Sequence, residues 1–349
     1  MKEKEIGSEF HISQMPSVLT LERDDDAEYV LSGRTAIDLI IRMLNLQRNV
    51  ERVYMPAYGC ESMVEPFLRN GIKVEQYDMH LSSEGLQYNI DCNKQTDILY
   101  VNNYFGYDDT LSRDIVRQFK QRGTFIIYDR THSMLMADEE MQALANFSFC
   151  SIRKWMGVVT GAFITSPEGR FNPTLDDVDY WQDKAIAMMV KAKYLVGSMK
   201  VDKKLFLDAF GRFGHHLTDD YVSKRMDDLS YSIWKQTDLD AIREQRRKNA
   251  SMLHEGVKGV RFIADLNDNS CPLFVPVFFD SKEERDRMRK VLIEANIYCP
   301  VHWQKNVLVK EDMKVNKLFD TELSLICDQR YENSDMQRII EIVNKSIKP

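Results

Sequence analysis

The chain has 349 residues, 44% of them hydrophobic, and a formal net charge of −7. That length holds one large α/β domain and a smaller companion; the apolar share excludes wholesale disorder, and the acidic balance disfavours a nucleic-acid binder while allowing a local basic pocket. The start, Met1-Lys2-Glu3-Lys4-Glu5, has no apolar core of signal-peptide type, and no apolar run is long enough for a bilayer, so a cytoplasmic protein without membrane contact is expected.

A polar lead-in through Arg23-Asp24-Asp25-Asp26 precedes the short apolar approach Tyr29-Val30-Leu31 and then Ser32-Gly33-Arg34-Thr35. Thr35 to Leu46 has helical spacing, with Ile37, Leu39, Ile40, Ile41, Met43 and Leu44 on a largely buried surface. The free N–H groups at such a helix start suit a phosphate, and Ser32 suits a plain N-cap equally well. Val53 to Pro56 reads as a strand, Ser62 to Asn70 as a helix stopped by Gly71, Lys73 to Tyr77 and Ile98 to Val101 as strands, and Leu111 to Arg122 as a helix ended by Gly123. Strand and helix alternate, which predicts a mostly parallel sheet with helices on both faces.

Three polar landmarks then stand at the joints of apolar segments. Phe125 to Tyr128 reads as a buried strand delivering Asp129 and His132; Phe147 to Cys150 reads as another, followed by Lys154 and a third apolar run, Ala162 to Ile164. Open α/β sheets build their sites at the carboxyl ends of strands, and an acid, an imidazole and an amine there suit pyridoxal phosphate (PLP) chemistry: the lysine to bind the aldehyde, the aspartate to partner the pyridine nitrogen. Taken singly, Asp129 could equally be a helix cap and Lys154 a solvated charge.

After Pro167 the composition changes. Asp176 to Phe213 reads as helical material covering the sheet, Asp228 to Val257 as one long charged helix with Arg243, Arg246, Arg247 and Lys248 mostly solvated, and the remainder as a small α/β domain. That remainder has strands at Leu273 to Phe279 and around Ile297, and helices at Lys282 to Ala295 and Asn333 to Ile347. The expected division is residues 1–227, with a helical insertion at about 168–222, and residues 228–349. The six cysteines lack metal spacing and read as free thiols of a reducing compartment; His215 and His216, adjacent on a helix, point apart and have no third ligand, so no metal is expected.

The ordered motifs SGRTAI, MPAYGCES, IIYDRTHS, FSFCSIRKW and GAFITS, followed by Lys224-Arg225-Met226, Pro300-Val301-His302-Trp303 and Gln329-Arg330-Tyr331, resemble the DegT/StrS sugar aminotransferases over nearly the whole chain. The resemblance implies the aspartate aminotransferase-like fold of PLP enzymes and a homodimer. It makes Lys154 the residue that holds PLP covalently and shuttles protons, Asp129 the partner of the ring nitrogen, and His132 a neighbour of the ring's phenolic oxygen. Gly33, Arg34 and Thr35 match the phosphate-binding turn, Ser148 or Ser151 the serine that adds a contact, and Cys60 the position that often carries a stacking aromatic residue. Arg225 matches an arginine that reaches the partner's phosphate region, while Ser223 stands where asparagine is usual, and the glycine-rich stretch is reduced to Gly157-Val158-Val159-Thr160-Gly161. The implied reaction moves an amino group from an amino acid such as glutamate to a nucleotide-linked keto sugar. A dehydratase of the same family, which replaces the lysine by histidine, and a PLP-binding regulator without turnover are the alternatives; Tyr104, Phe105 and Tyr107 could line a sugar pocket or pack a core.

Overall fold

The computed structural model describes residues 4–23 and 26–347; Met1 to Glu3, and Asp24 and Asp25 of the acidic lead-in, lie outside them. In chain order, β1 (Ile6–Gly7) and β2 (Glu28–Val30) precede α1 (Gly33–Gln47), β3 (Arg52–Pro56), α2 (Glu61–Arg69), β4 (Lys73–Ser82), β5 (Gly85–Asn89), β6 (Ile98–Asn102), α3 (Arg113–Gln121), β7 (Phe125–Asp129), α4 (Glu139–Leu144), β8 (Phe147–Cys150) and β9 (Ala162–Thr165). Next come α5 (Trp181–Leu195), α6 (Lys203–Asp219), α7 (Asp228–Gln236), α8 (Leu239–Gly256), β10 (Arg261–Phe262), β11 (Val275–Phe278), α9 (Lys282–Glu294), β12 (Ile297–Tyr298), α10 (Asn316–Thr321), β13 (Glu322–Leu325) and α11 (Asn333–Ser346).

Eight strands form the central sheet in the order β2-β9-β8-β7-β6-β3-β4-β5. The five from β8 to β4 run parallel, and antiparallel pairing occurs only toward the edges, at β2 with β9, β9 with β8, and β4 with β5. Alternation along the parallel strands explains why both faces are covered. Ile98, Tyr100 and Ile127 point into the layer with Ile37, Ile40 and Leu44 of α1, whereas Leu99, Val101, Ile126 and Tyr128 point into the layer with Val116 and Phe119 of α3.

The second, three-stranded sheet, β10-β11-β13, is antiparallel and buries Val275, Val277, Leu323 and Leu325 against Leu253 of α8, Leu292 of α9 and Ile339 and Val343 of α11. The amino terminus is stitched to this part of the molecule by the parallel pair β1 and β12, with Ile6 opposite Ile297. α5 and α6 pack together around Met188, Phe206, Phe210 and Phe213.

Three sequence expectations need correction. The strand from Lys73 continues to Ser82 and turns into β5, because its half-buried outer stretch alternates without an apolar run to mark it. The single helix expected from Asp228 to Val257 is two: Asp238 breaks it and caps α8, its carboxylate accepting from the Ala241 N–H at 2.9 Å. Arg246, expected among solvated charges, is fully buried; its guanidinium lies 4.6 Å from the Trp155 ring and donates to the Leu273 carbonyl and the Gln329 side chain, both at 2.9 Å.

Candidate active site

Parallel strands leave their side chains at one carboxyl edge, and β6, β7 and β8 deliver Asn102, Asp129 and, one residue beyond the strand, Ser151 there. The start of α1 adds Gly33 and Arg34 from one side, and the short 3₁₀ turn Ile152–Lys154 turns Lys154 back over the edge. Together with Cys60, Thr131, His132, Arg153 and Trp303 they line an open cavity. Lys154 Nζ has no hydrogen-bond partner among the described residues, which leaves it free to engage a ligand in the cavity.

Both oxygens of Asp129 are held. Tyr100 donates its hydroxyl to Oδ2 at 2.7 Å and the Thr131 N–H donates to Oδ1 at 2.8 Å. Burial pushes the carboxyl up from its ordinary value, and the Thr131 and Tyr100 hydrogen bonds and the Lys154 charge pull it partly back. A cation placed against it would complete the compensation. Burial drives His132 well below the usual imidazole range, with the charges of Lys154 and His302 adding to the effect, so the ring is neutral. Its Nδ1 accepts the Phe105 N–H at 3.4 Å, which leaves the proton on Nε2, and the ring stacks on Trp303 at 5.3 Å between centroids.

Of the residues picked out from sequence, Lys154, Asp129, His132, Gly33, Arg34, Cys60 and Ser151 meet in this cavity. Thr35, Ser148 and Arg225 are not among its lining. Thr35 serves the helix cap instead, its N–H donating to Ser32 Oγ at 3.4 Å and its hydroxyl lying 3.1 Å from the same atom. Ser148 lies buried within β8, so of the two serines Ser151 is the one at the cavity. Arg225 is on the surface, paired with Asp177 of the same chain.

Tyr104, Phe105 and Tyr107 are packed core, at most 2% exposed, and none of them lines this cavity. Sequence reasoning passed over Asn102, Thr131, Arg153 and Trp303 as lining residues. Asn102 carried a usable signal, since it follows an apolar strand as Asp129 does.

No family model matches the chain, and no curated protein matches it by sequence. Solved structures do. The aminotransferase TlmJ from Streptoalloteichus hindustanus superimposes with a TM-score of 0.66 at 16% identity, over 92% of this chain and 85% of that one. Spr1654 from Streptococcus pneumoniae, in its PLP form, gives 0.65 at 15% identity over 97% and 100% of the two chains. The sugar aminotransferase CalS13 from Micromonospora echinospora gives 0.62 at 14%, over 92% and 87%. The chain therefore has the fold of the PLP-dependent aminotransferases, a mostly parallel sheet flanked by helices with a smaller α/β part behind it.

The residues at the cavity fit PLP. Asn102 Oδ1 is a buried polar atom without a hydrogen-bond partner and its residue lines the cavity, as does Arg34, whose Nε lies 3.7 Å from Glu65 Oε2. A Cβ built on Gly33 would stand 3.7 Å from both Ser151 Cβ and the Phe149 ring, at the start of α1, whose free amides suit a phosphate. Among the described residues no His, Cys, Asp and Glu cluster could hold a metal, and no helix is long and apolar enough to cross a membrane.

Proposed function

We propose that this protein is a PLP-dependent aminotransferase that moves an amino group from an amino acid, glutamate foremost, to a keto sugar, nucleotide-linked, in polysaccharide or secondary-metabolite synthesis. The observation that carries the reading is a single cavity at the carboxyl edge of an aminotransferase-type sheet, holding an unbonded lysine amine, a buried carboxylate and a neutral imidazole. Bound PLP would supply an aldehyde to accept the amino group and a protonated ring to draw electrons.

The remaining work belongs to the chain. Asp129, kept in place by Tyr100 and Thr131, would hold a proton on the pyridine nitrogen, because a buried anion favours the cation beside it. Gly33, Arg34 and Ser151 would hold the phosphate, the first two through N–H groups at the start of α1. Lys154 Nζ would bond the aldehyde carbon and carry protons to and from the reacting carbon, and His132 Nε2–H would donate to the phenolic oxygen. Residues 1–227 carry these groups, and residues 228–349 add the wall that includes Trp303. The working form is a cytoplasmic homodimer in which Arg225 of each chain serves the other's cavity.

Incubation with PLP should give a yellow protein, and borohydride should fix the label to the peptide containing Lys154. Label on another lysine, or none, overturns the assignment. A labelled protein that undergoes no half-reaction with any amino acid would instead be the non-catalytic regulator.

A further inference from the structure

A second, open cavity adjoins the first and shares Arg153 and Lys154 with it. Its remaining charged lining is Glu9, Lys184, Arg246, Asp328 and Arg330. The two acids are already spent: Glu9 pairs with Lys184, and Asp328 with Arg330 at 2.8 Å. Arg246 spends its donors on neutral carbonyl oxygens. That leaves Arg153 and Lys154 as the cations of this lining whose side chains have neither an ion pair nor a hydrogen-bond acceptor among the described residues.

Lys154 is the amine of the reaction. Arg153 makes no hydrogen bond or ion pair among the described residues; its guanidinium lies 5.4 Å from the Phe213 ring of α6, an apolar support that leaves its donor fork unused. Burial holds it below the ordinary arginine value, with Glu9 acting the other way and Arg34 adding repulsion. Arg153 is half-buried, with its guanidinium facing the cavities rather than a protein acceptor, and its planar fork matches a carboxylate or phosphate with two parallel hydrogen bonds.

We propose that Arg153 is the residue that receives the anionic group, carboxylate or phosphate, of a substrate seated in this second cavity, and so sets the molecule's preference for charged over neutral substrates. The proposal rests on the functional reading above, because the sequence neighbour Lys154 then places the substrate's reacting carbon at the border of the two cavities. A carboxylate would come from the amino donor and a phosphate from the sugar acceptor.

Calorimetric titration of PLP-loaded protein with maleate and with inorganic pyrophosphate tests it without turnover. Arg153→Gln should weaken at least one of them tenfold or more while still taking up PLP, and Arg153→Lys should lose less. Dependence of maleate binding on Arg153 assigns the donor, of pyrophosphate binding the acceptor, and either supports the proposal. Unchanged binding of both anions in Arg153→Gln overturns it, as does loss of PLP uptake with anion binding intact, which would make Arg153 a cofactor residue. Wild type that takes up no PLP yet binds an anion through Arg153 would defeat the functional reading and leave the anion site standing. If the glutamine variant does not fold, phenylglyoxal labelling of wild-type Arg153 should be protected by the bound anion; labelling insensitive to both anions overturns the proposal.

Discussion

At the residue scale the site depends on keeping one buried carboxylate charged. Asp129→Asn should retain some PLP and lose transamination by on the order of 100-fold or more, measured as the half-reaction with an amino acid, because an amide cannot stabilise a cation as a carboxylate does. Near-normal rates would make Asp129 a structural cap. Tyr100→Phe is the finer probe. Its hydroxyl donates to Oδ2 at 2.7 Å, and removing a donor to the charged form raises the carboxyl's pKa further. The acid limb of the rate profile should therefore move to higher pH, with a loss of roughly tenfold near that limb and little at its alkaline end. Asp129, His132 and Lys154 were legible because polar residues closing apolar runs stand out. Tyr100 was not, since an aromatic residue inside a strand reads as core and the sequence does not say which neighbouring strand it faces. Thr131 and Trp303 were hidden for the same reason: their place is set by tertiary contact, not by a local pattern.

The element scale is where the chain's periodicity served best and where charge misled. Parallel strands and α1 follow from runs of Ile, Val and Leu, whereas the α7–α8 break and buried Arg246 depend on an Asp cap and on a carbonyl cluster that only the fold assembles. The loop after β6 shows how such assembly constrains a single backbone position. Gly106 has φ of +80° and lies so close to the segment before β11 that a Cβ would stand 2.1 Å from the Cys271 carbonyl oxygen, while its own carbonyl accepts the Cys271 N–H at 2.9 Å. Gly106→Ala should cost roughly 2–4 kcal/mol, combining backbone strain with overlap against a main chain that cannot swing aside. Gly197, at φ of +70° with no atom within 4 Å of its Cβ position, isolates the strain alone, and its alanine variant should cost about 1 kcal/mol. Denaturant unfolding of both compares them; equal losses would mean that the Cys271 contact yields.

For the whole molecule, half-buried histidines couple folding to pH, and the proposed pairing of two chains is open to test. His254 of α8, bonded to the Tyr107 hydroxyl at 2.9 Å and stacked on Phe262, and His11 are each lowered to about 4, chiefly by burial. The unfolded chain then binds more protons between pH 6.5 and 4, so stability should be complete above about 6.5 and fall as pH drops toward 4; His254→Gln should flatten that slope in thermal melts. On the outside, α5 and α6 expose Ile186 (56%), Leu205 (64%) and Leu207 (51%), side chains that a second copy of the chain could cover. Arg225 sits outside its own cavity with its side chain 37% exposed, and in a two-fold assembly every contact is made twice, so each site would borrow from the other chain. Arg225→Ala should weaken PLP or substrate binding several-fold without disturbing the groups around its own Lys154. Mixed with Lys154→Ala protein under conditions of proven subunit exchange, it should recover activity, because a heterodimer carrying one lesion per chain assembles one site free of both. Full activity in a monomer, or no recovery in the mixture, would confine each site to a single chain and leave Arg225 with only its Asp177 pair.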